Sequence, residues 1–357
     1  MSLKDLINKT LSQWMKGTGP ERDIVIGSRV RLARNLAGVP FPSIADDEHK
    51  AYVIKETKRA LQATNGTLGR MEFIPLAEVP PLERQLLVEK HLISPAHTQN
   101  VKHKAVILRD DEAVSIMVNE EDHFRIQALF PGLALEEAWK LCSSVDDAFS
   151  EVLDFAYGER FGYLTACPTN VGTGMRASIM MHLPALTMTD QIRKMIGAVS
   201  RFGLAVRGIY GEGTEVLGNI YQLSNQITLG HSEEEIIQHL QKVTMQVLEQ
   251  ERAARQRVLA QDRLRLEDRI YRSYGILANA RLLATHEAMQ LLSDVRLGID
   301  LGIVKGIEPR ILQELMVMIR PAHLQKLMGQ ELDAPARDEK RAALIRERLR
   351  LAEKEGG

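Results

Sequence analysis

The segment from Cys167 to Arg176, with the sequence Cys-Pro-Thr-Asn-Val-Gly-Thr-Gly-Met-Arg, combines residue types that could bind an anion. Its glycines allow the backbone to approach a ligand closely, and successive exposed N–H groups form an anion-binding nest. Arg176 adds a planar, charged group that matches phosphate oxygens, and Cys167 adds a thiol. Loops of this composition also simply turn the chain, so the segment predicts an anion site only together with residues elsewhere.

Four further arginines stand near predicted strand ends or loops and could share such an anion. Arg29 and Arg31 alternate in a strand-like run, which places both on one face. Neighbouring like charges repel, so either an anion lies between them or they form a solvated edge face. Arg125 and Arg207 lie near two other strands. A nucleoside triphosphate carries about four negative charges, of which Mg²⁺ offsets about two, and several guanidinium groups could bind the remainder.

Two glutamates, Glu121 and Glu212, could present a guanidinium acceptor, because carboxylates pair bidentately with that group. Transfer of a phosphoryl group to a guanidinium nitrogen needs a base that takes its proton. Either glutamate could be that base, and the thiolate of Cys167 could tune the charge of the acceptor. A turn salt bridge between Glu121 and Arg125 is the simpler alternative. The glycines around Glu212 indicate either a mobile flap or a plain hairpin.

Composition narrows the class of protein. The 357 residues are 45% hydrophobic and 26% charged, as in ordinary globular proteins. The net charge of -1 argues against a chain-wide nucleic-acid or membrane-surface role. Two cysteines cannot form a disulfide framework. We expect neither a signal peptide nor a membrane span, and hence a cytoplasmic protein. Because no Walker A or protein-kinase motif set occurs, arginines would have to hold any nucleotide.

Periodicity predicts the elements that position these residues. A meander of three strands is expected over Ala105–Arg109, Ala113–Asn119 and Phe124–Phe130. A short helix is predicted within residues 1–20. Longer helices are predicted over Asp46–Asn65, Leu82–Ile93, Glu136–Tyr157 and Thr189–Phe202.

The C-terminal third is predicted to be all helical. Ser232 to Glu235 form a capping box that opens a charged helix, expected to run through about Glu267 as a solvated connector. Turns are expected near Gly275 and Gly298, among other glycines. The predicted segments are a lead-in over 1–20, a catalytic domain over 21–255 and a helical domain over 256–357.

The last predicted helix places Arg337 and Arg341 one turn apart on one face. Taken alone, this pattern is typical of a solvated charged helix.

Four motifs resemble the catalytic motifs of the phosphagen (guanidino) kinases. In chain order they are Ser28-Arg-Val-Arg31, Asn119-Glu-Glu-Asp-His-Phe-Arg125, Cys167-Pro-Thr-Asn-Val-Gly-Thr173 and Arg207-Gly-Ile-Tyr-Gly-Glu212. The resemblance covers roughly residues 20–255 and implies an α+β fold with an antiparallel sheet flanked by helices. It implies ATP with Mg²⁺ as the phosphoryl donor. The implied catalytic residues are Glu121, Glu212 and Cys167. The implied nucleotide-binding residues are Ser28, Arg29, Arg31, His91, Arg125, Arg176, Ala177, Ser178, Met180, Arg207 and Gly208.

Two departures make the chain similar to the bacterial protein arginine kinases. Phosphagen kinases carry a helical domain before the catalytic region, whereas this chain has a short lead-in and a helical C-terminal segment. That resemblance implies phosphorylation of arginine side chains in proteins, which marks them for Clp-protease degradation in the stress response. It implies that Arg337, Asp338, Arg341 and Ala342 form an allosteric phosphoarginine-binding motif. The implied partners are a zinc-binding activator protein, a heat-shock transcription repressor as substrate, the Clp ATPase and protease, and a second copy of the chain.

Two alternatives remain at this stage. The chain could phosphorylate free arginine or another small guanidino compound. It could also be a non-catalytic adaptor that reads phosphoarginine, although the presence of every expected arginine, glutamate and cysteine opposes that hypothesis.

Overall fold

The computed structural model of the protein describes residues 11–64, 66, 68–208 and 216–355. Within these residues the chain forms ten strands and eleven α-helices. The strands are β1 (Val25–Arg34), β2 (Met71–Pro75), β3 (Ala105–Arg109), β4 (Val114–Val118), β5 (Phe124–Pro131), β6 (Tyr157–Gly158), β7 (Gly162–Tyr163), β8 (Met175–His182), β9 (Leu204–Gly208) and β10 (Ile220–Asn225). The helices are α1 (Asp47–Ala63), α2 (Pro81–Glu89), α3 (Leu135–Ser150), α4 (Pro184–Met188), α5 (Ile192–Arg201), α6 (Glu233–Gln261), α7 (Arg263–Asn279), α8 (Thr285–Asp300), α9 (Pro309–Met318), α10 (Pro321–Met328) and α11 (Ala334–Glu355).

Eight strands form one antiparallel sheet in the order β2-β3-β4-β5-β1-β8-β10-β9, and β6 pairs with β7 as a separate hairpin. The predicted meander is confirmed, since β3 pairs with β4 and β4 with β5. Strand β1 lies near the middle of the sheet, between β5 and β8. The α+β prediction, an antiparallel sheet flanked by helices, is therefore confirmed.

Side-chain alternation gives the sheet two different faces. Val30 and Leu32 of β1 point into a large apolar core, which the helices α3 and α6 cover. Arg29 and Arg31 take the alternate positions and lie on the opposite face. Part of that second face, including Met180, packs against the helices of the C-terminal region in a second core. The polar candidate site occupies the remainder of this face.

Several predicted helices have different bounds in the structure. The helix predicted over Glu136–Tyr157 ends at Ser150. Beyond its end, Phe155 forms an isolated antiparallel β-bridge with Leu36, so the chain is no longer helical there. Of the predicted N-terminal helix, residues 1–10 lie outside the described residues, and Gln13–Met15 form a single 3₁₀ turn. The predicted turns at Gly275 and Gly298 are wrong, since both residues lie inside helices. A β-carbon on Gly298 would stand 2.5 Å from a methyl carbon of Ile270, so glycine here allows close helix packing rather than a turn.

The long charged helix is confirmed at its start and wrong at its end. The capping box of Ser232 is present, but the helix ends at Gln261, and Asp262 caps the next helix through the N–H of Arg265. It is solvated along one face, where Arg252 and Arg257 are exposed, but its other face packs into the core. Glu251 is fully buried, because its carboxylate accepts two backbone N–H groups at the start of α4 and pairs with Arg255 at 2.9 Å. The predicted division at residue 255 falls within this helix and remains a prediction.

Candidate active site

The five predicted arginines lie on one face of the sheet. Strand β1 places Arg31 directly opposite Arg176 of β8, and it places Arg29 opposite Ser178 two positions along. Arg125 on β5 lies opposite Ala33 of β1. Arg207 on β9 lies opposite Gln222 of the neighbouring strand β10. Two adjoining pockets open on this face, and both are lined by Arg31 and Arg207.

The first pocket is lined by Arg29, His91, Gln127 and Gln222 in addition to the two shared arginines. Polar side chains orient Arg29 without neutralising it: Nη2 donates to Gln222 Oε1 at 2.9 Å, and Nε donates to Ser178 Oγ at 3.4 Å. His91 follows helix α2 with a left-handed backbone, φ +58°. Its carbonyl accepts a hydrogen bond from Gln127 Nε2 at 2.8 Å, which ties the segment to β5.

The electrostatics of this pocket favour a polyanion. Burial lowers the pKa of Arg29 to about 10, and the nearby charge of Arg125 contributes to the shift. Burial also holds the pKa of Arg31 well below its ordinary value, and the charges of Arg29 and Arg125 lower it further. Among the described residues, Arg31 Nε is buried without a hydrogen-bond partner. An anion that contacts all of these crowded guanidinium groups would stabilise their charged forms most strongly.

Burial also lowers the pKa of His91 well below its ordinary value, an effect that Arg320 and Arg29 reinforce. Its imidazole is therefore neutral at pH 7 and offers a planar wall to the pocket without adding charge.

The second pocket is lined by Glu121, Arg125, Cys167 and Arg176, among others. Arg125 forks between two carboxylates: Nη1 lies 2.8 Å from Glu120 Oε2, and Nη2 lies 2.6 Å from Glu121 Oε2. The predicted salt bridge across the turn is thus present, and it lies inside a pocket that also contains other arginines. Glu121 keeps 43% of its side chain exposed, so its carboxylate remains accessible to an acceptor.

Cys167 lies on the loop that closes this pocket. Its Sγ is 3.0 Å from Thr169 Oγ1, and a 3₁₀ turn over Pro168–Asn170 follows it. Asn170 Oδ1 accepts from Arg176 Nη2 at 3.0 Å, so the loop contacts the arginine cluster directly. Gly172 has φ +112°, and a β-carbon there would stand 2.3 Å from the carbonyl oxygen of Thr228, which explains why glycine is needed.

Not every residue expected at the site presents its side chain to it. Ser28 lies on the opposite face, where Oγ donates to the carbonyl of Gly132 at 2.8 Å. Ala177 also belongs to the large core. Met180 is on the arginine face but is buried in the second core, whereas Gly208 ends β9 next to Arg207. Glu212 lies outside the described residues.

The predicted phosphoarginine motif lies on α11. Arg341 is buried, and its Nε and Nη1 donate to the carbonyls of Ile319 at 2.9 Å and Leu283 at 2.7 Å. Ala342 is fully buried beside it. Arg337 is less enclosed and donates to the carbonyl of Leu332. These contacts differ from the solvated face that the sequence pattern alone indicates.

Sequence reasoning missed three residues that hold the site together. Glu120 is 6% exposed and accepts from Ser94 Oγ at 2.6 Å as well as pairing with Arg125. Asp122 accepts the N–H of Ala166, one residue before Cys167. The run of three acids was the available signal for Glu120 and Asp122.

The third missed residue, Arg34, contacts the Cys167 loop from the side of β1 opposite to Arg29 and Arg31. It is 1% exposed, pairs with Asp146 at 2.6 Å, and donates to the carbonyl of Thr173 at 2.9 Å. Its guanidinium also stacks on the ring of Tyr163 at 3.4 Å. The alternation that identified Arg29 and Arg31 gave no signal for it, because Arg34 faces the other side of β1.

Metal and membrane features are few. Within the part of the chain that the structure describes, no group of three or more His, Cys, Asp or Glu side chains is placed to hold a metal ion. Over the same residues, none of the helices combines the length and the apolar character that crossing a bilayer requires.

Comparisons with known proteins match both parts of the chain. The family model described as "ATP:guanido phosphotransferase, C-terminal catalytic domain" matches residues 52–254. The one described as "Protein-arginine kinase McsB C-terminal domain" matches residues 263–356.

Full-length relatives include the protein-arginine kinase of Halothermothrix orenii, which is 56% identical over 98% of this chain and 100% of its own length. That of Halalkalibacterium halodurans is 54% identical over 98% of this chain and 99% of its own length. Among solved structures, a lombricine kinase is similar with a TM-score of 0.59 and 24% identity, over 67% of this chain and 68% of its own. The duplicated taurocyamine kinase of Schistosoma mansoni gives 0.57 and 26%, over 64% of this chain and 33% of its own.

Proposed function

The chain belongs to the protein-arginine kinase family, and we propose that it transfers the γ-phosphoryl group of ATP to arginine side chains of protein substrates. The observation that carries the proposal is the cluster of five arginines on one sheet face, in which Arg29 and Arg31 have depressed pKa values. A bound triphosphate would relieve that crowding. Phosphoryl transfer requires alignment and charge stabilisation above all, and fixed guanidinium groups supply both.

The acidic side of the second pocket suits a guanidinium acceptor. Glu121 is half-exposed and already binds a guanidinium group, that of Arg125. In the proposed reaction, a nitrogen of the substrate arginine attacks the γ-phosphorus as the bond to the β-phosphate oxygen breaks. The proton of that nitrogen passes to a carboxylate, for which Glu121 and Glu212 are the candidates. Cys167 lies beside the same pocket and would tune the charge of the acceptor.

Magnesium fits this arrangement through the nucleotide. Mg²⁺ in such sites is usually bound by substrate phosphates, water and one or two carboxylates. Among the described residues, Glu120 and Glu121 adjoin the arginine cluster, and bound Mg²⁺ would neutralise part of the charge of the transferring phosphate.

The finer parts of the proposal concern cellular context. We propose a cytoplasmic enzyme of the stress response whose phosphorylated substrates, including a heat-shock transcription repressor, are passed to a Clp ATPase and protease. A zinc-binding activator protein and a second copy of this chain are the proposed partners. The support for these statements is membership of the family, not a feature of the site.

We also propose that the motif from Arg337 to Ala342 binds phosphoarginine as an allosteric ligand. The two arginines would have different tasks. Arg341 is committed to the carbonyls of Ile319 and Leu283 and would fix the helix, whereas Arg337 would contact the ligand. Calorimetric titration with phosphoarginine tests this: Arg337→Ala should weaken binding or its feedback on activity, and unchanged behaviour in both would contradict the assignment.

The central test is incubation with Mg-ATP and a denatured protein, followed by mapping of acid-labile phosphate. N-phosphates hydrolyse in acid whereas phosphoserine persists, so the result separates arginine kinases from hydroxyl kinases. Glu121→Gln should lower the transfer rate strongly. Glu136→Gln is the matched control, because Glu136 is an exposed acid that pairs with Lys140 on α3. Phosphorylation of free arginine without that of the protein would establish the small-substrate alternative.

A further inference from the structure

The 3₁₀ turn over Gln13–Met15 lies behind the nucleotide pocket, although no motif of the sequence assigned it a role. Trp14 is 3% exposed, and Met15 is fully buried. The turn packs against β1, β5 and α9, so it joins the catalytic sheet to the helical region. A turn this deeply buried is part of the folded body of the protein, and its contacts show what it holds in place.

Trp14 contacts the segment that forms one wall of the pocket. Its Nε1 donates a hydrogen bond to the carbonyl of Lys90 at 3.1 Å. Its indole ring meets the imidazole of His91 edge-on, with centroids 5.2 Å apart and an angle of 69° between the planes. His91 lines the pocket together with Gln127, which binds the His91 carbonyl. The imidazole is thus held by Gln127 on its backbone and by Trp14 on its ring.

A second set of buried contacts anchors the same turn. Lys90 Nζ lies 2.9 Å from Glu112 Oε1, and both side chains are at most 1% exposed. Ser12 Oγ donates to the other carboxylate oxygen of Glu112. Lys90 is therefore fixed through its side chain by Glu112 and through its carbonyl by Trp14. Buried polar groups whose hydrogen bonds are all satisfied hold the surrounding side chains in a single arrangement.

We propose that Trp14 is a positioning residue for nucleotide binding: it holds His91, in its left-handed backbone conformation, as a wall of the ATP pocket. The inference rests on the proposed function only in that the pocket binds ATP. A non-glycine residue at φ +58° persists where its surroundings fix it. The contacts of Trp14 with Lys90 and His91 are part of those surroundings.

The first test is the substitution Trp14→Phe, which keeps an aromatic ring against His91 but removes the N–H that binds Lys90. We expect the KM for ATP to rise about three- to tenfold, the range that loss of one buried hydrogen bond usually produces. The kcat should stay within about twofold, because a ground-state positioning defect acts on binding. Trp139→Phe is the matched control, since Trp139 Nε1 donates to Glu233 Oε2 at 2.8 Å away from the pocket. Its KM for ATP should be unchanged.

A second measurement does not alter Trp14. The chain has two tryptophans, so the Trp139→Phe variant emits from Trp14 alone. Saturation with Mg-ADP should change that emission, with a midpoint equal to the dissociation constant from calorimetry. An unchanged KM in Trp14→Phe, or unchanged Trp14 emission while calorimetry shows binding, would overturn the role of Trp14 alone. Absence of ATP binding by the unaltered protein would instead overturn the proposed function, and this role with it.

Discussion

The fork of Arg125 between two carboxylates leads to a sharp prediction about charge and shape. Arg125 reaches Glu120 Oε2 at 2.8 Å with one nitrogen and Glu121 Oε2 at 2.6 Å with the other. The substitution Arg125→Lys keeps the positive charge and removes the planar fork. A lysine ammonium is a compact charge on a flexible chain and does not reproduce two bonds in fixed directions.

The magnitude follows from the contacts that are lost. Glu120 is 6% exposed, so its carboxylate depends on Arg125 and Ser94 for compensation. Although burial opposes the shift, Arg125 lowers the pKa of Glu120 most strongly, followed by the Ser94 hydroxyl. Loss of one charge-assisted hydrogen bond costs about 1.5 to 3 kcal/mol, which corresponds to roughly a 10- to 150-fold fall in kcat/KM.

The assay is transfer of labelled phosphate from ATP to arginines of a denatured protein, with kcat and KM measured for each substrate. Arg109→Lys is the matched control. Arg109 also makes two parallel contacts with a carboxylate, that of Asp111 at 2.8 and 2.7 Å, but it lies at the end of β3 outside both pockets. We expect this control to keep its activity. If Arg125→Lys also stayed within threefold of the unaltered enzyme, the argument that the fork aligns the acids would be wrong.

Three further predictions concern other parts of the molecule. Cys167→Ser should lower kcat by roughly tenfold, because it removes the sulfur that is proposed to tune the charge of the acceptor; a change below twofold in the transfer assay would contradict the tuning role. Burial lowers the pKa of His97 from 6.5 to about 4. Between those pH values the unfolded chain binds a proton at His97 that the folded chain does not. The free energy of unfolding should therefore fall as the pH falls. In urea titrations, His97→Gln should reduce that slope by up to about 1.4 kcal/mol per pH unit. Arg341→Ala should lower the free energy of unfolding by about 3 kcal/mol, because it leaves two buried carbonyls without donors. Arg337→Ala should lower it by less than about 1 kcal/mol. Equal losses of unfolding free energy in the two variants would contradict the proposed difference in their roles.

The arrangement of Arg29 and Arg31 was predictable because the side-chain period of a strand depends on local geometry. The sequence predicted their shared face, and the structure has it. What the period does not encode is which strand lies alongside. The register that sets Arg31 opposite Arg176 depends on a pairing between distant segments, and only the resemblance to phosphagen kinases connected those motifs beforehand.

Two of the predictions that were wrong share one cause. Gly298 carries the ordinary signal for a turn, but tertiary packing overrides local propensity because its helix approaches Ile270 of the neighbouring helix closely. Glu251 belongs to a run of charges that is typical of a solvated helix, yet it is buried because a neighbouring helix start needs an acceptor. In each case the deciding partner is remote in sequence, and a reading of local pattern has no access to it.

The central position of β1 has a consequence for heat-damaged copies of this protein. The arginine cluster exists only when β1, β5 and β8 are aligned, and these strands come from widely separated parts of the chain. Pairings of that kind form and dissolve together with the whole domain rather than piecemeal. A denatured copy would thus expose its own 30 arginines while having no means of phosphorylating anything. Given the proposed activity, it becomes a target of its intact neighbours rather than a rival to them.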